Sequence, residues 1–472
     1  MKPVSRMDRP GPLWLLVLII LAGAFLRFYR LDAQSFWGDE AFSAVITARG
    51  LDDVLDNPFS VNPPGYFLLL NLWRSVAGDS DFALRFVSAL FGVLGVALTF
   101  QLGQSVCSRR LGIWAASLTA LSPFYIFYSQ EARMYAQLHA VACVLMLAYV
   151  RLWLSGRRAW WLVISLSSIA ALGTHFFAGF ALAVLGAHFS LMKLWPGKSC
   201  LLRRRLPGGR GSSPTWLGFL TANGSVALLC ALYGRRFITQ VQLYNSEIWH
   251  WAPSGAELLS LSLTLTGGPF LNADGQTLGF ALTTFTAIVV GMQVIREIWQ
   301  RKPTADWVTL LALFCVLPPV IAFLMGRLWK LVFAARIMII SVPAYHLLLA
   351  WGATHTRERG FNKLLVIAMT ALMGWGLHNW YFDPSFAKPP IRDAARQVEE
   401  FDLKGTGVLH GTGTSYRLFE HYAPEVENYL VFPVHSLDFQ RAQRHRLDAG
   451  FDRAYEWSKD GIRLYYYVRQ DR

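Results

Sequence analysis

Eleven apolar segments, each about long enough to cross a bilayer as a helix, run through this 472-residue chain. A hydrocarbon core of about 30 Å takes roughly 20 helical residues at 1.5 Å rise each. The segments cover 12–29, 84–103, 111–127, 136–154, 160–177, 178–195, 214–232, 277–295, 306–325, 334–351 and 362–380. Inside a bilayer each backbone polar group must be satisfied within the protein, so this pattern confines the chain to a helical bundle. Composition excludes other classes: 54% of residues are apolar and only 16% charged, outside the range of soluble or disordered chains. The expected fold class is mainly α, a polytopic transmembrane helical bundle of about 11 spans, multi-pass in the cell (inner or plasma) membrane.

Charge orients the bundle. The formal net charge is +14, which in a soluble chain would suggest nucleic acid; here the apolar content assigns it to a membrane surface. With the N-terminus in the cytoplasm, the inner loops are 1–11, 104–110, 155–159, 196–213, 296–305 and 352–361. Each carries Lys or Arg, from Lys2, Arg6 and Arg9 to Arg357 and Arg359, as the positive-inside rule requires. Eleven spans then leave the C-terminus extracytoplasmic. The first span has the basic start of a signal peptide and small residues at Leu21-Ala22-Gly23-Ala24. Its apolar run exceeds a signal core, and Arg27, Phe28 and Tyr29 read as an interfacial anchor, so an uncleaved span is expected.

Residues 1–382 read as the membrane domain, with amphipathic outer-loop helices in 30–83 and 128–137. Residues 383–472 differ, with 13 basic and 14 acidic groups. A helix at 390–403 and strands at 406–409, 428–432 and 463–468 predict a small extracytoplasmic α/β domain there. The five cysteines, at 107, 143, 200, 230 and 315, fall in spans or inner loops and match no zinc spacing, so they read as apolar filler.

Twelve of the sixteen acidic residues before 383 fall on the outer side, and nine of those lie between 32 and 131. Orientation does not demand this, because Asp and Glu weigh little in the positive-inside rule. The first outer loop carries Phe36-Trp37-Gly38-Asp39-Glu40-Ala41-Phe42, whose carboxylates open a short helix over 39–49. Offsetting the helix dipole explains that pair as well as catalysis does, and adjacent helical residues point about 100° apart. Asn62-Pro63-Pro64-Gly65-Tyr66 then turns the chain into an apolar run too short to span, read as interfacial or re-entrant.

The second outer loop holds Glu131, Arg133 and Tyr135, where a surface-shaping ion pair competes with a binding role. Arg327, Lys330 and Arg336 stand at the outer boundary against the charge trend. They suit lipid headgroups or one specific phosphate, Arg as a bidentate fork and Lys as a point charge. His175 is a further candidate contact, although a lone His is more often structural. Arg235, Arg236, Trp249, His250 and Trp251 lie in a long outer loop that would line a cleft.

Taken in order, Asp39-Glu40, Asn62-Pro63-Pro64, the run from Tyr128 to Tyr135 and Phe333-Ala334-Ala335-Arg336 resemble the GT-C integral-membrane glycosyltransferases. The group is the bacterial branch related to protein O-mannosyltransferases and to the lipid A aminoarabinose transferase. Pro389-Pro390-Ile391-Arg392-Asp393-Ala394-Ala395 extends the likeness into the tail.

The resemblance implies an inverting transfer of a hexosyl or pentosyl group from a polyprenyl-phosphate donor to an acceptor hydroxyl at the extracytoplasmic face. It makes Asp39 the base that deprotonates the acceptor and Glu40 the group that orients acceptor or base. Glu131, with Arg133, Tyr135 and His175, would contact the donor sugar. Arg336, with Lys330 or Arg327, would stabilise the phosphate leaving group. Some relatives use a divalent metal, for which Asp39 and Glu131 are the oxygen donors. Partners would be the lipid-linked sugar, a lipid, polysaccharide or protein acceptor, and membrane lipids, with no nucleic acid. Ile337 departs from the aromatic residue common after the late Arg.

The alternative is a transporter or flippase of a lipid-linked or anionic solute. It predicts charges deep in helices, broken helices near the midplane and internal repeats, whereas the acids here sit in outer loops. A third reading, a structural envelope subunit, would make Asp39 replaceable.

Overall fold

The computed structural model describes residues 13–56, 62–194, 214–224, 226–227, 231, 252–329, 333–355, 359–400, 407–410, 413–430, 451–459 and 462–469. Among them, seven helices are long and apolar enough to cross a membrane. They are Asp81–Val106, Tyr135–Ser155, Phe176–Leu194, Ala273–Trp299, Ala305–Leu328, Ala335–His355 and Gly360–Phe382. Each overlaps one of the expected spans. The expected span 111–127 is instead two helices, Arg109–Leu121 and Pro123–Ser129, bent by 62°. Pro123 lacks an N–H and keeps Ser122 extended, and the Ser122 hydroxyl accepts from Tyr125 N–H at 3.2 Å to start the second helix. Leu13–Phe28 and Ala159–Thr174 are apolar helices of 16 residues each, and expected span 214–232 is described only in part.

Contacts divide the chain into two compact units. The first comprises residues 1–29, 56–66 and 86–383. Helix α1 (Leu13–Phe28) packs Leu15, Leu16, Ile19 and Ile20 on Val96, Phe100, Ile113, Ala116 and Ala120. Arg27, expected as an interfacial anchor, is fully buried in this unit. Its guanidinium donates to the carbonyls of Gly23, Ala120 and Thr119 at 2.9, 3.3 and 3.1 Å and lies 4.9 Å over the Tyr125 ring. The bend after Ser122 exposes carbonyls at the end of the preceding helix, and a buried cation needs such acceptors.

The second unit comprises residues 30–55, 67–85 and 384–472. By contacts, the first-loop segments group with the tail. The physical reason is a set of ion pairs described below. The unit contains α2 (Gly38–Ala48), most of α3 (Leu51–Asp56), α4 (Gly65–Ala77) from Phe67 on and the first turn of α5 (Asp81–Val106). From the tail it takes Ile391–Glu400 and Gly413–Tyr422, whose Ala394, Ala395, Val398 and Phe419 form a small apolar core with the following Ala423. Strand β1 (Gly407–His410) pairs in parallel with β2 (Glu427–Leu430). Strand β3 (Phe451–Lys459), not anticipated, pairs antiparallel with β4 (Ile462–Arg469).

Candidate active site

The N-terminus of α2 is fixed by its third residue, not its cap. Glu40 accepts from the Trp37 N–H at 3.4 Å, closing the first turn. Its carboxylate is fully buried and bridges two cations: Arg85 at 2.7 and 2.9 Å, and Lys388 from the tail at 2.7 Å. Arg85 is saturated. Beyond its two bonds to Glu40 it donates to the carbonyls of Leu31, Gln34 and Ser35 at 3.0, 2.8 and 3.1 Å, which uses all five N–H groups. Its guanidinium also lies 4.7 Å over the Phe36 ring.

Burial alone would raise the Glu40 pKa, but Arg85 and Lys388 outweigh it and hold the carboxyl down at about 2. Glu40 is thus ionised and enclosed, a positioning group for the helix that carries Asp39. Asp39 is half-buried in the same first turn, about 100° around the axis from Glu40.

A second junction lies nearby in the same unit. Asp81, at the start of α5, accepts from Tyr422 OH at 2.7 Å and forms an ion pair with Arg392 Nη2 at 2.8 Å, and His421 Nε2 stands 3.4 Å away. The Tyr422 hydroxyl in turn accepts from Phe36 N–H at 2.6 Å, and Arg392 donates to the carbonyls of Asp32 and Gln34 at 2.8 and 2.9 Å. Arg85, Asp81, Lys388, His421 and Tyr422 were absent from the expected site. The visible signal was Arg392 in the Pro389–Ala395 run; nothing local marks the others, whose partners lie tens or hundreds of positions away.

In the first unit, 128–137 is not an amphipathic helix. A helix ends at Ser129, a turn follows, and the next helix starts at Tyr135. Residues 129–135 are all buried, because Gln130 ties the turn down. Its amide donates to the carbonyls of Leu26, Arg27 and Tyr29 at 3.3, 3.1 and 3.0 Å and accepts from Trp380 Nε1 at 2.7 Å. Glu131 is fully buried and Arg133 nearly so. The Tyr135 ring lies 4.9 Å from Tyr128 and 6.3 Å from the buried His175.

Arg133 and Arg336 both act electrostatically on His175. Arg336 is half-buried at the start of a 3-10 turn, Ala335–Ser341. Arg327 is exposed in the last turn of Ala305–Trp329. Lys330, Arg235, Arg236, Trp249, His250 and Trp251 lie outside the described residues.

Asp39 and Glu131 fall in different units, and among the described residues no three His, Cys, Asp or Glu side chains gather as a cation would require.

Residues 61–207 match the dolichyl-phosphate-mannose-protein mannosyltransferase family, just under a third of the chain. No curated protein matches the sequence. The fold is similar to ArnT from Cupriavidus metallidurans in the apo state, with a TM-score of 0.58, 13% identity, and coverage of 92% of this chain and 88% of that one. The likeness to the family covers that segment, and the likeness to ArnT is one of fold. The same ArnT bound to undecaprenyl phosphate aligns at a TM-score of 0.53 and 14% identity over 93% of this chain and 89% of that one. An oligosaccharyltransferase from Archaeoglobus fulgidus, AglB, in complex with an inhibitory peptide and a dolichol-phosphate, aligns at 0.52 and 15% identity over 89% of this chain. The chain spans 64% of AglB's length.

Proposed function

We propose that this protein is a GT-C inverting glycosyltransferase that moves a sugar from a polyprenyl phosphate to an acceptor hydroxyl at the extracytoplasmic face. The observation that carries the reading is the anchored start of α2, where Glu40, locked between Arg85 and Lys388, fixes the turn bearing Asp39. In the reaction, the Asp39 carboxylate takes the acceptor proton while the acceptor oxygen attacks the anomeric carbon opposite the phosphate. The bond from that carbon to the phosphate oxygen breaks, its electron pair stays on the polyprenyl phosphate, and the configuration inverts. A positioned general base contributes about 10²–10⁴-fold. Arg336, with Arg133, meets the charge growing on the phosphate, where preorganised cations act most strongly.

The similar ArnT fold, solved with undecaprenyl phosphate, supports a polyprenyl-phosphate donor. The basic inner loops support a cytoplasmic N-terminus and an extracytoplasmic C-terminus in the plasma or inner membrane. Residues 1–382 then carry donor binding, and 383–472 form the outer domain that secures the first loop.

The test is native mass spectrometry of the full-length protein from nanodiscs loaded with undecaprenyl phosphate. Wild type and Asp39→Asn retain the lipid, and Arg336→Ala loses most of it. Equal retention by Arg336→Ala and wild type removes Arg336 from the phosphate site.

A further inference from the structure

The second unit contains a cleft of about 650 Å³ that the proposed chemistry at Asp39 does not use. One wall is the C-terminal half of α2 at Ala44, Val45 and Ala48. The others come from the turn before α5 and from the helices Ile391–Glu400 and Gly413–Tyr422. At 1.5 Å per residue the cleft lies roughly 8–14 Å along α2 from Asp39.

Four arginines and five carboxylates line it, along with His421 and Tyr422. Pockets for apolar ligands are mostly apolar with a few polar groups, and this one is the reverse, so an acyl chain does not fit it. Neither sign of charge prevails. Arg49 pairs with Glu420 at 3.0 Å, Arg74 with Asp79, and Arg392 with Asp81 at 2.8 Å. An anion or a cation would displace these pairs for little net Coulomb gain.

The paired groups still offer hydrogen bonds, since a carboxylate accepts about four and a guanidinium donates five. Phe82, 41% exposed, adds an aromatic face beside the small apolar positions of α2. Alternating donors and acceptors over an apolar patch complement a neutral ligand bearing many hydroxyls and C–H faces.

We infer that this cleft is a subsite for a neutral saccharide, the part of the acceptor remote from the hydroxyl presented to Asp39. The inference rests on the glycosyltransferase reading and names its acceptor class. Binding energy from such remote units is what holds a reacting group in place.

Full-length protein in nanodiscs is titrated with maltotriose, lactose and N,N′-diacetylchitobiose, with glucose 6-phosphate as the anionic counterpart, and binding is read by saturation-transfer NMR. At least one neutral saccharide binds, and glucose 6-phosphate binds no tighter. Arg396→Gln with Glu399→Gln changes the exposed face of Ile391–Glu400, opposite its buried Ala394, Ala395 and Val398. It weakens binding about tenfold or more, the size of one or two lost charged hydrogen bonds. Phe82→Ala weakens it independently.

Absence of binding by all three neutral saccharides overturns the inference. So does undiminished binding in both variants, or glucose 6-phosphate binding tenfold tighter than any neutral probe. Binding is read without turnover, so the two readings separate. Saccharide binding that persists in a protein shown to transfer no sugar overturns only the enzyme, and transfer without saccharide binding overturns only the cleft.

Discussion

Glu40→Gln removes the charge at the centre of the second unit while keeping the side chain's shape. Arg85 is only 2% exposed, so it stays buried with three carbonyls and without its directly bonded carboxylate, Asp81 acting on it only through space. Breaking a buried pair by removing one partner costs about 3–5 kcal/mol. Titration gives a consistent size. The Glu40 pKa falls from 4.5 to about 2, and each unit is worth about 1.4 kcal/mol, so the ionised form contributes about 3 kcal/mol. The sign follows from the depressed value. This stability is fully present above pH 4.5 and is lost as pH falls from 4.5 toward 2.

Urea-dependent pulse proteolysis of the full-length protein in nanodiscs reads the cost. The expected result is a loss of about 3 kcal/mol or more in Glu40→Gln at pH 7, with its acid sensitivity below pH 4.5 reduced. Lys388→Met loses less, and the double variant loses less than the sum, with a coupling of about 1–3 kcal/mol. A Glu40→Gln loss under about 0.5 kcal/mol, within the range of ordinary surface changes, would refute the reasoning.

Two other substitutions probe the first unit. Gln130→Ala strips four hydrogen bonds from the buried turn before Tyr135 and is expected to destabilise by about 1–3 kcal/mol, read as a lower thermal midpoint in nanodiscs. Gly65→Ala places a Cβ 2.5 Å from the Gly173 carbonyl oxygen, which must shift backbone, so folded yield by fluorescence size exclusion drops while Gly173→Ala, whose Cβ meets nothing within 4 Å, is tolerated.

The apolar segments were legible because a spanning helix must be long and continuous; seven expected spans contain helices that meet both demands. The bend in 111–127 was visible in principle as Ser122-Pro123, a pair that breaks a helix, but the uninterrupted apolarity around it hid the break. Strand β3 alternates Phe451, Arg453, Tyr455 and Trp457 with polar or small residues, a period-two pattern masked by its charges.

Asp39 and Glu40 were prominent as an acidic pair at a helix start. Their unequal fates were not legible, because Glu40's burial depends on Arg85, 45 positions on, and Lys388, 348 positions on. Likewise Gln130 looked unremarkable in sequence. Its role comes from carbonyls left at the end of α1 and from Trp380, contacts that only the tertiary fold supplies.

The central claim is sugar transfer dependent on Asp39, and comparative mass spectrometry of envelope glycolipids and glycoproteins tests it most directly. Cells carrying wild type are compared with cells lacking the protein and with cells expressing Asp39→Asn at equal membrane level. A glycan mass present with wild type and missing from both other samples is the predicted result. The same glycan at full level in Asp39→Asn cells, or identical profiles in all three, would contradict the account.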